Sequence, residues 1–130
     1  MPKFGESSMK NLNTCDPKLR RVFREVVKHF DCSVIQGVRD EETQNAYYEA
    51  KRSKVKYPHS KHNAFPSQAV DVAPYPINWE DYNRLYFFAG VVMGTAQRLG
   101  IKLRWGGDWD GDTEVNDQSF NDLVHFELVE

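Results

Sequence analysis

The residues able to do chemistry are few. There are four histidines, His29, His59, His62 and His125. Val124, Phe126 and Leu128 alternate with His125 and Glu127, so a strand there carries an apolar face and an opposite face with an imidazole and a carboxylate. Around Asp71 the pattern repeats, with Val70 and Val72 on one face and the carboxylate on the other. His62 lies upstream in a polar loop. Two histidines and an aspartate from separate segments supply three N/O ligands to zinc and leave a fourth position open for water, as catalytic zinc sites do. The bland alternative is a hydrogen-bonded buried His125 and a capping Asp71, and the pattern alone leaves both open. His29 sits where a helix would end, and a cation there suits the helix dipole.

The other candidate features are weaker. Cys15 and Cys32 lack the paired short spacing of a thiolate zinc site and read as reduced packing residues. Asp108, Asp110, Asp112 and Glu114 alternate in a Gly-containing loop, a spacing that suits calcium, although it is not the full twelve-residue form. A regulatory Ca²⁺ there stands beside the simpler reading of a polar loop. Lys51, Arg52, Lys54, Lys56 and Lys61, with Tyr57 and His59 among them, would attract anionic material or form a solvated loop. Trp79, Tyr82, Tyr86 and Phe87 have helical spacing and read as core. Trp105 and Trp109 flank Gly106–Asp108 and either line a cleft or pack.

The positioning elements follow from patterning. Residues 1–15 read as a loose lead-in. Asp16-Pro17 opens an amphipathic helix over 17–30, carried by Leu19, Val22, Phe23, Val26, Val27 and Phe30. Residues 33–39 form a strand. Asp40 caps a helix over 41–52 with Ala46, Tyr47 and Ala50 inward. A loop over 53–67 precedes a strand over 68–73. Asn78 starts the longest helix, with Glu80 and Asp81 in its first turn and a stripe from Trp79 to Leu99; Gly100 ends it. Residues 101–105 and 123–129 are strands, joined by a loop from Gly106 to about Asn121. Mixed helices and strands give an α+β domain with a small antiparallel sheet packed by helices, spanning 1–130 as one unit.

Composition excludes several classes. A net charge of −2, from 17 Lys and Arg against 19 Asp and Glu, is no nucleic-acid signature. Hydrophobic residues at 40% suffice for a core. No apolar run is long enough for a membrane span or a secretory signal. The expectation is a monomer without a membrane or nucleic-acid partner.

At these residues the sequence resembles a known family. Ser60-Lys61-His62 followed by Ala69-Val70-Asp71 resembles the S-x-H…A-x-D signature of the zinc D-Ala-D-Ala-carboxypeptidase and hedgehog-type metallopeptidases. Asp122-Leu123-Val124-His125-Phe126-Glu127 is similar to their second signature, and Ile35–Arg39 to the segment bearing their active-site Arg. Within that group the chain most resembles the small phage L-alanyl-D-glutamate peptidases, which are endolysins. It shares Lys3-Phe4-Gly5, Asp71–Tyr75, Gly100–Arg104 and Trp105–Trp109, in order over nearly its whole length. Asp71 follows His62 by nine residues, two more than the common form of the signature, so His59 stays as a competing ligand.

The resemblance implies a D-Ala-D-Ala-carboxypeptidase/hedgehog-like fold in which His62, Asp71 and His125 bind Zn²⁺. It implies Asp122 as general base and Arg39 as the group that stabilises the oxyanion or orients a substrate carboxylate. It further implies hydrolysis of the L-Ala–D-Glu amide of the peptidoglycan stem peptide, in a phage lysin that stays in the host cytoplasm until released to the wall. A D-Ala-D-Ala-type carboxypeptidase and a non-catalytic zinc-containing wall-binding module are the alternatives, with a nucleic-acid binder third. Strict alternation adds a difficulty. Residues three apart on a flat strand face opposite ways, so Asp122 joins His125 only if the chain bends. Glu127, on the face of His125, is either its hydrogen-bond partner or the base.

Overall fold

A computed structural model describes residues 2–116 and 121–129. The elements are α1 (Glu6–Leu12), α2 (Pro17–Val27), β1 (Cys32–Gln36), α3 (Glu41–Glu49), a 3₁₀ turn at Lys61–Asn63, β2 (Ala69–Pro74), α4 (Tyr82–Arg98), β3 (Leu103–Gly106) and β4 (Asp122–Leu128). The strands form one antiparallel sheet in the order β1-β2-β4-β3. This is the expected α+β architecture. The loop expected from Gly106 to Asn121 includes residues 117–120, which lie outside the described residues.

One sheet face is core. Val70 and Val72 of β2 and Phe126 and Leu128 of β4 are buried against Val22, Phe23 and Val26 of α2 and Phe88, Ala89, Val92 and Ala96 of α4. Phe126 takes the ring edges of Phe23 at 5.6 Å and Phe88 at 6.3 Å between centroids. The opposite face carries Asp71, His125 and Glu127, all buried. Burial of Cys15 and Cys32 pushes their thiols up to about 11 and about 12, so both stay protonated, unpaired packing residues.

Several expectations need correction. Residues 1–15 are not a loose lead-in, because α1 docks on the outer edge of β1. Ser8 Oγ accepts from Val34 N at 3.0 Å, and Asn11 Nδ2 donates to the carbonyls of Val34 and Ile35 at 2.9 and 3.1 Å. Leu12 is fully buried behind them. These are tertiary bonds between side chains and a strand edge, which no periodicity in a seven-residue helix announces. Helix α3 leaves Ala46 and Ala50 exposed and buries Gln44. Helix α4 starts four residues later than expected, capped by Asp81, whose side chain accepts from Arg84 N. Trp79, Tyr82 and Phe87 are exposed rather than core. Trp105 packs against Tyr86 and is buried.

Strand β4 also departs from strict alternation. Trp105 pairs with Phe126 and Gly106 with Asp122, so four positions of β4 pass against one of β3. The excess bulges outward and turns Val124 out of the core. Gly106 permits the close approach, since a Cβ there would stand 2.1 Å from the Asp122 carbonyl.

Gly37 is a further position where only glycine fits. A Cβ would lie 2.1 Å from Thr14 Oγ1 and 2.4 Å from the Asn11 carbonyl. Gly37→Ala should destabilise the fold by about 1–3 kcal/mol, the range for overpacking a filled site. Urea denaturation measures it; a midpoint equal to wild type would show that α1 shifts at no cost.

Candidate metal centre and cleft

Antiparallel register builds the site. Asp71 and His125 are direct cross-strand neighbours on β2 and β4, so their side chains rise side by side from the non-core face. His62 comes from the 3₁₀ turn. Ser60 caps that turn through a reciprocal box with Asn63. The turn is tied to the segment after β1 by Arg39 N on the His62 carbonyl at 2.7 Å and Asn63 Nδ2 on the Arg39 carbonyl at 3.1 Å.

Three donor atoms converge. His62 Nε2 lies 3.2 Å from Asp71 Oδ1 and 3.3 Å from His125 Nδ1, and His125 Nδ1 lies 3.4 Å from Asp71 Oδ1. Ligands about 2.0–2.1 Å from a tetrahedral ion stand about 3.3 Å apart, so the triangle has the size of one face of such a shell. The outer nitrogens fix which atoms point inward. His62 Nδ1 is 2.8 Å from the Gly37 carbonyl and His125 Nε2 is 2.8 Å from Glu127 Oε1, which assigns N–H to each outer position and leaves each inner nitrogen as the one whose lone pair can ligate once neutral. His62, Asp71 and His125 therefore fit a metal, and His59, exposed on the rim, does not enter the cluster. Glu127 is itself held by Arg104 at 3.3 Å and Lys61 at 3.4 Å. It acts as the partner of His125, facing away from the triangle.

The bulge in β4 removes the difficulty with Asp122. Its Oδ2 lies 4.0 Å from His125 Nδ1, and the side chain is one-third exposed to the cleft. Burial and then the charge of Asp71 raise its pKa. Arg39 is buried with each guanidinium nitrogen bonded: Nη2 on Asp71 Oδ2 at 3.3 Å, Nη1 on Gln44 Oε1 at 2.9 Å and Nε on Gln36 Oε1 at 3.3 Å. Trp109 tilts against His125 with centroids 5.3 Å apart and Trp79 stands on the rim, so one of the two tryptophans considered for a cleft lines it, and one assigned to the core joins it. The cleft has a volume of about 790 Å³. Gln44 escaped sequence reasoning because a lone glutamine mid-helix carries no signal; its role depends on a residue five positions earlier in another segment.

The acidic loop does bring Asp108, Asp110 and Asp112 together. Their oxygens accept from N–H groups of their own loop: Thr113 to Asp108, Asp112 to Asp110 and Glu114 to Asp112. These turns account for the cluster, and calcium is not supported.

Without metal, burial works against a charged His125, but its bonds to Asp71 and Glu127 outweigh that and push its pKa up to about 9. A ligating imidazole must be neutral. Metal affinity should therefore rise with pH through the neutral range and flatten above about 9, with a proton released on binding at pH 7. Calorimetry in two buffers of different ionisation enthalpy checks this; identical heats would contradict it. Glu127→Gln should weaken metal binding about 10–100-fold, the usual effect of losing the partner of a ligating histidine.

Comparison with known proteins identifies the family. The family model described as phage L-alanyl-D-glutamate peptidase matches residues 1–129. The L-alanyl-D-glutamate peptidase of Escherichia phage T5 is 32% identical over 135 residues, covering 98% of this chain and 98% of that protein. The crystal structure of the Serratia marcescens L-Ala D-Glu endopeptidase ChiX matches with a TM-score of 0.77 at 28% identity, over 98% of this chain and 91% of that one. The chain belongs to the phage L-alanyl-D-glutamate peptidase family.

Proposed function

We propose that this family member is a zinc-dependent peptidoglycan endopeptidase, an endolysin that hydrolyses the L-Ala–D-Glu amide of the stem peptide. The observation that carries the reading is the triangle of His62, Asp71 and His125 with Asp122 beside it in an open cleft. Two imidazoles and one carboxylate suit zinc by ligand type and number. Bound there, zinc would polarise the scissile carbonyl and acidify water.

The protein's own groups do the rest. Asp122, with its raised pKa, takes a proton from the attacking water and returns it to the departing amine as the C–N bond breaks. Arg39 holds the second oxygen of Asp71, which leaves Oδ1 for the triangle. Its fixed positive charge at the cleft wall also favours the negative charge that develops on the carbonyl oxygen. Glu127 keeps His125 turned with Nδ1 inward. The protein works as a monomer after release from the host cytoplasm to the wall.

Mass spectrometry of digested peptidoglycan tests the reading. New termini at L-Ala and D-Glu are expected, abolished by a chelator. Loss of a terminal D-Ala would instead make it a carboxypeptidase, and no new termini from the zinc-loaded protein would make it a binding module. Asp122→Ala should retain metal while turnover falls by at least about 100-fold, within the range for general acid–base catalysis. His125→Ala should lose the metal. Near-normal turnover in Asp122→Ala, with turnover lost in Glu127→Ala, would reverse the two roles.

A further inference from the structure

The cleft wall also carries a cation whose task the mechanism leaves open. Arg52 is exposed and lines the cleft. Its guanidinium rests on the Tyr47 ring, 4.7 Å from the centroid, and the same ring carries Arg39 at 4.4 Å. Arg39 is paired with Asp71, and Lys61 with Glu127. Among the described residues no carboxylate lies within ion-pair distance of Arg52.

Its position is built rather than incidental. The amides of Arg52 and Ser53 both bond the Tyr47 carbonyl, at 2.8 and 3.2 Å. The Tyr47 hydroxyl bonds Gln36 Oε1, the same oxygen that accepts from Arg39 Nε. Gln44, fully buried, accepts from Arg39 through Oε1 and donates through Nε2 to Ser53 Oγ at 2.9 Å and the Val55 carbonyl at 2.7 Å. One side-chain amide thus sets the loop bearing Arg52 at a fixed place relative to Arg39.

The substrate supplies the missing partner. In an L-Ala–D-Glu amide the glutamyl nitrogen is acylated. The stem continues through one glutamyl carboxyl and leaves the other as a free carboxylate. That group lies only a few covalent bonds from the scissile nitrogen, so it enters the same cleft. The geometry points to Arg52, mounted on Tyr47, as the residue that binds the free carboxylate of the glutamyl residue following the scissile bond. A planar guanidinium matches a carboxylate with two parallel N–H···O bonds, and Arg52 has both edges to offer. The inference rests on the proposed endopeptidase activity and names the specificity contact for it.

The test uses zinc-loaded full-length protein and two matched stem peptides, one with the free glutamyl carboxylate and one with it converted to a carboxamide. Wild type should prefer the carboxylate. Arg52→Ala should lower kcat/KM for the carboxylate peptide about 10–100-fold, mostly through KM, the range for a charge-assisted hydrogen bond. The loss on the carboxamide peptide should be much smaller, so the preference collapses. Arg52→Lys should keep part of it. Equal losses on both peptides, or a preference unchanged in Arg52→Ala, would overturn the assignment, as would a wild type that cleaves both equally well. Failure of wild type to cleave either peptide would instead refute the endopeptidase reading on which the assignment rests.

Discussion

The site depends on one pairing, Asp71 opposite His125 in the β2–β4 ladder. Side chains alternate along a strand, so a one-residue slip of either strand would turn its Asp71 or His125 into the helix-packed core and bring that strand's apolar residues out. The fold prevents the slip with the same residues: Val70, Val72 and Phe126 are fully buried on the other face. Register and chemistry are therefore specified together. The pairing also buries a carboxylate, which costs several kcal/mol unless partners offset it. Burial opposes the charge, but His62 and His125 on Oδ1 hold Asp71 well below the usual carboxylate range, while Arg39 bonds Oδ2.

Around that pairing lies a ring of groups that touch His62, Asp71, His125 and Arg39. The Gly37 carbonyl turns His62, and Glu127 turns His125. Lys61 and Arg104 hold Glu127, and Gln36 and Gln44 hold Arg39. His62, Asp71 and His125 each thus keep one atom inward with the remaining polar atoms bonded elsewhere, so the triangle is held in place by its surroundings.

Much of this was legible in the residues. Alternation around Asp71 and His125 reports the faces of β2 and β4, because a sheet with one buried side must repeat every second residue. The order Ser60-Lys61-His62 locates the first histidine of the triangle, and the capping box explains why that order matters. Asp122 was legible only by resemblance. Its place depends on a bulge allowed by Gly106, sixteen residues earlier, and alternation argues the wrong way. Helix α1, Gln44 and the exposed Trp79 were not legible, for a common reason. Each is decided by contacts between distant segments, where local pattern is silent or, for Trp79, continues past the true helix start at Asp81.

The docking of α1 has a consequence of its own. A four-stranded sheet ends in two rows of unspent backbone groups, and such rows recruit strands from other molecules. Ser8 and Asn11 occupy the N–H of Val34 and the carbonyls of Val34 and Ile35 on one of those rows. A short polar helix thus closes off one of the two directions in which copies of the protein could polymerise edge to edge. That closure matters wherever copies of the protein are concentrated together.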